Sequence, residues 1–210
     1  RRRARGGGCI KMGAQGTGDR GGRNDSRAKR LAPHVVWPSR TKESLSLDRK
    51  HAAAPALLTR LLESADVLVQ NLAPGAAARM GLSFEALHEA HPRLIVCDIS
   101  GYGDDPEHPG PYRDKKAYDL LIQSESGFLS ITGTPDEPSK AGCSIADIAA
   151  GMYAYSSILA ALLQRGRTGA GSHTAVSMLE TLCEWMGNPL YYGFAGQAPP
   201  ARPGAPHPGT

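Results

Sequence analysis

Between Glu43 and Ile99, short apolar runs alternate with amphipathic segments at a spacing that few architectures accept. Glu43–Leu47 alternates polar and apolar residues and reads as a strand. Ala52–Ala65 places Leu57, Leu58, Leu61 and Leu62 on one helical face, with Pro55 tolerated in the first turn. Asp66–Gln70 reads as a buried strand, Ser83 caps a short helix running to Glu89, and Leu94–Ile99 reads as another buried strand. Strand, helix, strand, helix, strand is the pattern of a parallel sheet with crossover helices. The expected fold class is therefore α/β, a Rossmann-like parallel sheet.

The pattern continues downstream. Gly101–Tyr112 is a Gly- and Pro-rich loop too long for simple punctuation. Ala117–Phe128 reads as a helix with Leu120, Leu121 and Ser124 on its buried side, and Gly133–Gly142 as a second loop. Ile145–Gln164 is the longest helix candidate, with Ile148, Met152, Tyr155, Leu159 and Leu162 recurring at helical spacing. Gly166–Gly171 lacks the Gly-Lys-Ser/Thr ending of a phosphate loop and follows a helix, so it reads as a helix C-cap and turn. His173–Val176 reads as a strand and Ser177–Trp185 as a helix, with Ser177 and Glu180 forming a capping box. After Asn188 the chain is Pro- and Gly-rich without a closing element, and reads as a linker.

Charge is unevenly spread. Of 24 basic and 20 acidic residues, ten basic and only two acidic ones, Asp19 and Asp25, fall in the first thirty. The other 180 positions hold 14 basic against 18 acidic side chains. The Arg/Gly-rich start offers almost no apolar surface to offset its ordering entropy, so residues 1–35 are expected to be disordered. The domain expected to fold spans 36–187, and 188–210 is the linker. Nucleic-acid binding would have to rest on the basic start alone and is not expected. The start has no signal-peptide apolar stretch, and no unbroken apolar run approaches the roughly 18 residues of a membrane helix, so no membrane partner is expected. The four cysteines form no Cys-x-x-Cys pair, which fits a reducing, cytoplasmic setting. A first residue that is Arg and an ending without a closing element read as a piece of a longer protein.

Three places could carry chemistry. Ser144-Ile145-Ala146-Asp147 opens the long helix as a capping box. The same position would set an ionised carboxylate against the helix dipole, able to attack a thioester carbonyl. The residues alone leave both readings open. Asn71-Leu72-Ala73-Pro74-Gly75 follows a strand, where an open α/β sheet places its ligand crevice. Asn71 could hydrogen-bond a ligand there and Arg79 could pair with a phosphate, although an ordinary strand-to-helix turn has the same composition. The histidines show no ligand spacing and no Gly-x-Ser-x-Gly elbow is present, so neither a metal site nor a serine hydrolase is expected.

The order of the pieces resembles the class III CoA-transferases. The resemblance rests on Ser-Leu-Ser-Leu-Asp at 44–48, Ala-Asp-Val-Leu-Val-Gln-Asn-Leu-Ala-Pro-Gly at 65–75 and Arg-Met-Gly-Leu at 79–82. Asp-Ile-Ser-Gly-Tyr-Gly at 98–103, Gly-Pro-Tyr at 110–112 and Lys-Ala-Tyr-Asp at 116–119 extend it. The run Ile-Ala-Asp-Ile-Ala-Ala-Gly-Met-Tyr-Ala at 145–154 is its most specific part, backed by residues 160–171. It implies part of the large α/β domain of such an enzyme, with Asp147 the acyl-carrying nucleophile of an aspartyl-CoA mechanism. It also implies CoA contacts at Leu47, Asn71, Leu72, Arg79, Met80 and Lys116, with Met178 a weaker one. Coenzyme A would be a substrate, with no tightly bound cofactor. The partners would be an acyl-CoA, a small carboxylic acid and, at full length, a second copy in a homodimer. Residues 1–33 match neither the strand-helix start nor the Glu-Lys-Pro or Glu-Ala-Pro turn of the family.

Two alternatives remain at this stage. An α-methylacyl-CoA racemase-like enzyme would carry His-Asp where this chain has Tyr118-Asp119, and tyrosine with a pKa of ~10 is a poor base for proton abstraction. The other is an inactive fragment or a basic-armed binding module.

Overall fold

The computed structural model describes residues 9–13, 41–48 and 51–205. The chain divides into two compact units, Arg1–Leu61 and Leu62–Thr210.

In the first unit, strand β1 (Cys9–Gly13) runs parallel to β2 (Lys42–Ser46), with Cys9 opposite Lys42 and Gly13 opposite Ser46. Helix α1 (Ala54–Leu62) follows. Strand β1 lies inside the segment read as disordered; the rest of that segment lies outside the described residues. Pairing with β2 satisfies the backbone groups along one edge of these five residues. A composition averaged over thirty residues does not register so short a stretch.

The second unit is built on three parallel strands in the order β3 (Val67–Gln70), β4 (Ile95–Ser100), β5 (His173–Ser177). Val67 pairs with Ile95, and Val96 with His173. The central strand bears out its reading in its first half: Ile95, Val96 and Cys97 are buried, as is Leu94 just before it, while Asp98, Ile99 and Ser100 are half-buried. Strand β3 is an edge strand, and its Val69 is half exposed, contrary to the buried strand expected. Helices α2 (Ala76–Arg79) and α3 (Phe84–Ala90) connect β3 to β4. Helices α4 (Asp119–Glu125), α5 (Phe128–Ile131) and α6 (Ile145–Thr168) lie between β4 and β5. Helices α7 (Met178–Trp185) and α8 (Gly187–Tyr192) and a 3-10 turn (Phe194–Gly196) follow. Ser83 and Ser177 cap α3 and α7 as expected, accepting hydrogen bonds from the Ala86 and Glu180 amides.

Three sequence expectations are corrected by the packing. The helix expected over Ala117–Phe128 is two, broken at Gly127, whose φ of 83° is the left-handed region. In α4, Leu120, Leu121 and Ser124 are exposed while Ile122 and Gln123 are fully buried, because Ile122 joins the core around Cys97, Tyr102 and Leu182. After Asn188 the chain does not run out as a linker. Helix α8 forms, and further on the Gly204 amide donates to Gly133 O while Arg202 donates to Thr134 O and Pro135 O.

Helix α6 packs by its small residues. Ala146, Ala149, Ala150, Ala154 and Ala161 are buried, and the helix lies against β4, β5, α4 and α7. Methyl-sized side chains let it come close to the strands, while Ile148, Met152, Tyr155 and Leu159 are 39–58% exposed on its outer side. By length and composition alone α6 could cross a membrane, although polar residues interrupt its apolar run. Its alanine face is buried against the strands and helices of this unit, and its other faces are largely exposed. The turn after it matches the reading of 166–171: Gly169, at φ 80°, is the left-handed C-cap, and its amide donates to Arg165 O at 2.8 Å.

Candidate active site at the strand ends

The direction of α6 places its first turn. Near its far end, Arg165 Nη1 donates to the carbonyls of Asp66 and Arg93, the approaches to β3 and β4. Arg165 therefore marks the edge where the strands begin. Asp147 lies eighteen residues earlier, ~27 Å along the helix at 1.5 Å per residue. Strand β4 spans only about 20 Å, so Asp147 emerges beyond the edge where the strands end, which is where an open parallel sheet forms its crevice.

The segment from Gly101 to Asp119 ties that edge together. Asp104 accepts a hydrogen bond from the Gly75 amide at 3.1 Å and forms an ion pair with Arg113. Gly101 O accepts from the Leu179 amide at 3.0 Å, fixing the start of α7. Tyr102 is buried and meets Tyr112 edge to face, and Lys115 lies over the Tyr112 ring at 3.5 Å. Asp119 Oδ1 accepts from the amides of Ala146 at 2.8 Å and Asp147 at 3.3 Å.

That last contact replaces the expected capping box. Ser144 makes no side-chain cap hydrogen bond, and its ψ of 72° departs from the extended geometry of a capping serine. The cap comes from Asp119, twenty-seven residues earlier, so the Asp147 side chain is released from the local helix-start role. Asp147 is exposed to solvent. Thinned hydration, and secondarily the Asp119 carboxylate, raise its pKa from 3.8. This runs against the lowering that the helix dipole alone would give.

The other candidate residues are distributed unevenly. Asn71 is exposed, and Leu72 is half-buried with its amide donating to Gln70 Oε1 at 2.7 Å. Gly75 adopts φ 68°, and the Arg79 guanidinium folds back so that Nη1 would lie 3.1 Å from a Cβ at that position. Arg113 Nη2 would lie 3.9 Å from the same point, so two guanidinium groups flank the turn. Arg79 and Lys116 are exposed and Met80 is half-buried. Met178, at 5% exposure, lies in the core cluster with Cys97, Ile122 and Leu182. Leu47 lies in the first unit, where it lines a hollow of about 520 Å³ with Asp48, His51, Leu57 and Arg60. A second hollow of about 450 Å³, between Thr132–Ser139 and Gly204, does not include Asp147.

Asp104, Arg113 and Gln123 are structural members of this edge that the sequence did not single out, and Asp119, named only within the 116–119 motif, had no capping role assigned to it. For Asp119 and Gln123 the available signal was their i, i+4 spacing; for the others no local pattern existed. Among the described residues no cluster of His, Cys, Asp and Glu could hold a metal, and Cys97, Cys143 and Cys183 are free.

Fold and site together define a parallel α/β domain with a solvent-facing carboxylate and paired guanidinium groups along its strand-end edge. The chain belongs to CoA-transferase family III, whose profile matches residues 6–210. That span includes most of the Arg/Gly-rich start, which the motif reading had set apart. The chain is 40% identical over 172 residues to the succinate–glutarate CoA-transferase of Agrobacterium fabrum, covering 81% of this chain and 42% of that protein. It is 40% identical over 138 residues to a formyl-CoA:oxalate CoA-transferase of Streptomyces avermitilis, covering 65% and 32%. Among solved structures, a CAIB/BAIF family protein from Brucella suis superposes with a TM-score of 0.72 at 36% identity, covering 80% of this chain and 43% of that one. The chain thus spans less than half the length of these relatives.

Proposed function

We propose that this chain carries the nucleophile-bearing part of an enzyme that moves CoA from an acyl-CoA thioester to a small carboxylic acid. The observation that carries the reading is the exposed Asp147 carboxylate, freed from capping its own helix, at the strand-end edge of a CoA-transferase family domain. A carboxylate oxygen of Asp147 attacks the thioester carbonyl, the C–S bond breaks, and CoA leaves as the thiolate. The thiolate then attacks the Asp147 carbonyl carbon of the mixed anhydride, expelling the donor carboxylate and leaving an aspartyl-CoA thioester. The acceptor carboxylate attacks that thioester, and the released thiolate takes the acceptor's acyl group, restoring the Asp147 carboxylate. Every step conserves atoms and charge without a redox partner or a tightly bound cofactor.

Asn71 and Leu72 lie along the CoA in this reading, with Met80 beside them, and Arg79 and Lys116 meet its phosphates. Met178, in the core at the start of α7, is the weaker of these contacts. The names of the relatives, which pair acetyl-CoA or formyl-CoA with oxalate and succinate with glutarate, support small carboxylic acids as substrates. The working form is a cytoplasmic homodimer of the complete protein. In the complete protein, Asp147→Ala should abolish CoA transfer from succinyl-CoA, acetyl-CoA or formyl-CoA to small dicarboxylates while CoA still binds. Trapping with hydroxylamine during turnover should mark Asp147 by mass spectrometry. Undiminished transfer by the variant would end the proposal.

A further inference from the structure

Gln123 is fully buried in α4, one turn after Asp119, and both ends of its amide are engaged. Its Nε2 donates to Asp119 Oδ2 at 2.6 Å and its Oε1 accepts from the Ala141 amide at 2.9 Å. The other Asp119 oxygen receives the amides of Ala146 and Asp147. One buried amide and one carboxylate thus join α4, the end of the 133–142 loop and the first turn of α6. A buried polar group so fully partnered specifies one arrangement of the segments it links, because any shift leaves an unsatisfied donor or acceptor.

We propose that Asp119, oriented by Gln123, is a positioning residue for the Asp147 nucleophile, holding the first turn of α6 and setting a second negative charge beside the reacting carboxylate. This rests on the reading of Asp147 as nucleophile. Its chemical consequence is specific. While both groups are carboxylates, Asp119 repels the free Asp147 anion. Once the Asp147 oxygen has bonded to the acyl carbon and thiolate has departed, that carboxyl is neutral and the repulsion is gone. Forming the anhydride or the aspartyl thioester therefore relieves a cost present in the resting site.

The other charged groups of the neighbouring elements are placed differently. Arg165 and Arg167 are at the far end of α6, Glu125 faces Lys115 at 3.7 Å, and on the strands Asp98 is paired with His173. On α7 (Met178–Trp185), Glu180 sits in the first turn and acts on Cys183 while Glu184 sits in the last, and in the 133–142 loop Lys140 Nζ donates to Ala141 O at 3.1 Å. Among the described residues, Asp119 is the charged group that adds to the thinned hydration in raising the Asp147 pKa.

The test uses the direction of the Gln123 hydrogen bonds. In Asp119→Asn, an oxygen can still face the two amides, but the new NH2 then meets the Gln123 Nε2 donor. Adding Gln123→Glu restores an acceptor there and returns a negative charge one side chain further away. Carboxyl-13C aspartate NMR and amide spectra of the chain, with transfer kinetics of the complete protein, are the readouts. Asp119→Asn should shift the Ala146 and Asp147 amides, move the Asp147 titration to lower pH and cut kcat by about tenfold or more, with KM for the acyl-CoA little changed. The double variant should bring the amide shifts back and recover several-fold in kcat. A single variant indistinguishable from the wild type, or a double variant no better than the single one, overturns the proposal. The outcome is separable from that of Asp147→Ala. A nucleophile variant with full activity rejects the covalent mechanism, while the Asp147 titration in the Asp119 variants reports on positioning independently.

Discussion

Arg165 Nη2 lies 2.8 Å from Asp66 Oδ1, ninety-nine residues away in sequence, while Nη1 of the same guanidinium holds the carbonyls of Asp66 and Arg93. The pair has an asymmetric setting, since the Arg165 side chain is 13% exposed and Asp66 78%. Most of its value therefore lies in the two carbonyls rather than in the solvent-screened carboxylate. Arg165→Ala should destabilise the second unit by ~2 kcal/mol, and Asp66→Asn by less than ~1 kcal/mol. Urea denaturation of both variants checks the order.

The two sides of α6 should respond oppositely to size and polarity. Ala150→Leu forces extra methyl groups into the face packed on the sheet and should cost ~1–3 kcal/mol. Met152→Glu, two residues on but more than half exposed, should change the stability of this chain by no more than ~0.5 kcal/mol. Thermal melts of the two variants would show the contrast. A large loss from Met152→Glu would mean the helix is rotated.

His173 Nε2 donates to Asp98 Oδ2 at 2.9 Å, and its ring stacks on Phe84 at 5.1 Å. The Asp98 hydrogen bond raises its pKa above 6.5, desolvation opposes this, and the charges of Asp98 and Glu85 add to the rise. A raised histidine pKa contributes stability that is complete below the unfolded value and is lost as pH rises through the folded one. Stability should therefore decline as pH climbs above about 6.5, and His173→Gln should flatten that slope. Urea midpoints across pH 5.5–9, a range of roughly one unit or more either side of the ordinary histidine pKa, give the measurement.

Arg79→Ala and Lys116→Ala should each weaken CoA binding by roughly tenfold in the complete protein. The loss should shrink at high salt, because exposed charges are screened. Calorimetric titration at two ionic strengths decides this. An unchanged affinity for both variants would move the phosphates elsewhere.

Much of the fold was legible because it depends on periodicity. Strands β2, β3, β4 and β5 and helices α1, α3, α6 and α7 fall within a few residues of their sequence expectations. Ser83 and Ser177 could be recognised as caps because a cap and its amide are three residues apart. Ser144 has the same local signature, and fails because a distant carboxylate occupies the amides it would have capped. The Asp119 contact with Ala146 spans two helices and a loop, and no local pattern encodes it.

The sequence by itself determined the α/β alternation, the parallel sheet and the position of Asp147 at a helix start, since these follow from backbone geometry and neighbours within a turn. Only the tertiary structure decided which face of α6 is buried and which group caps it. Alanines win the interior of that helix because close approach to the sheet favours small side chains, and larger apolar residues of equal periodicity are left outside. Asp119 wins the cap because folding brings its carboxylate to the Ala146 and Asp147 amides, and Gln123 fixes its orientation there.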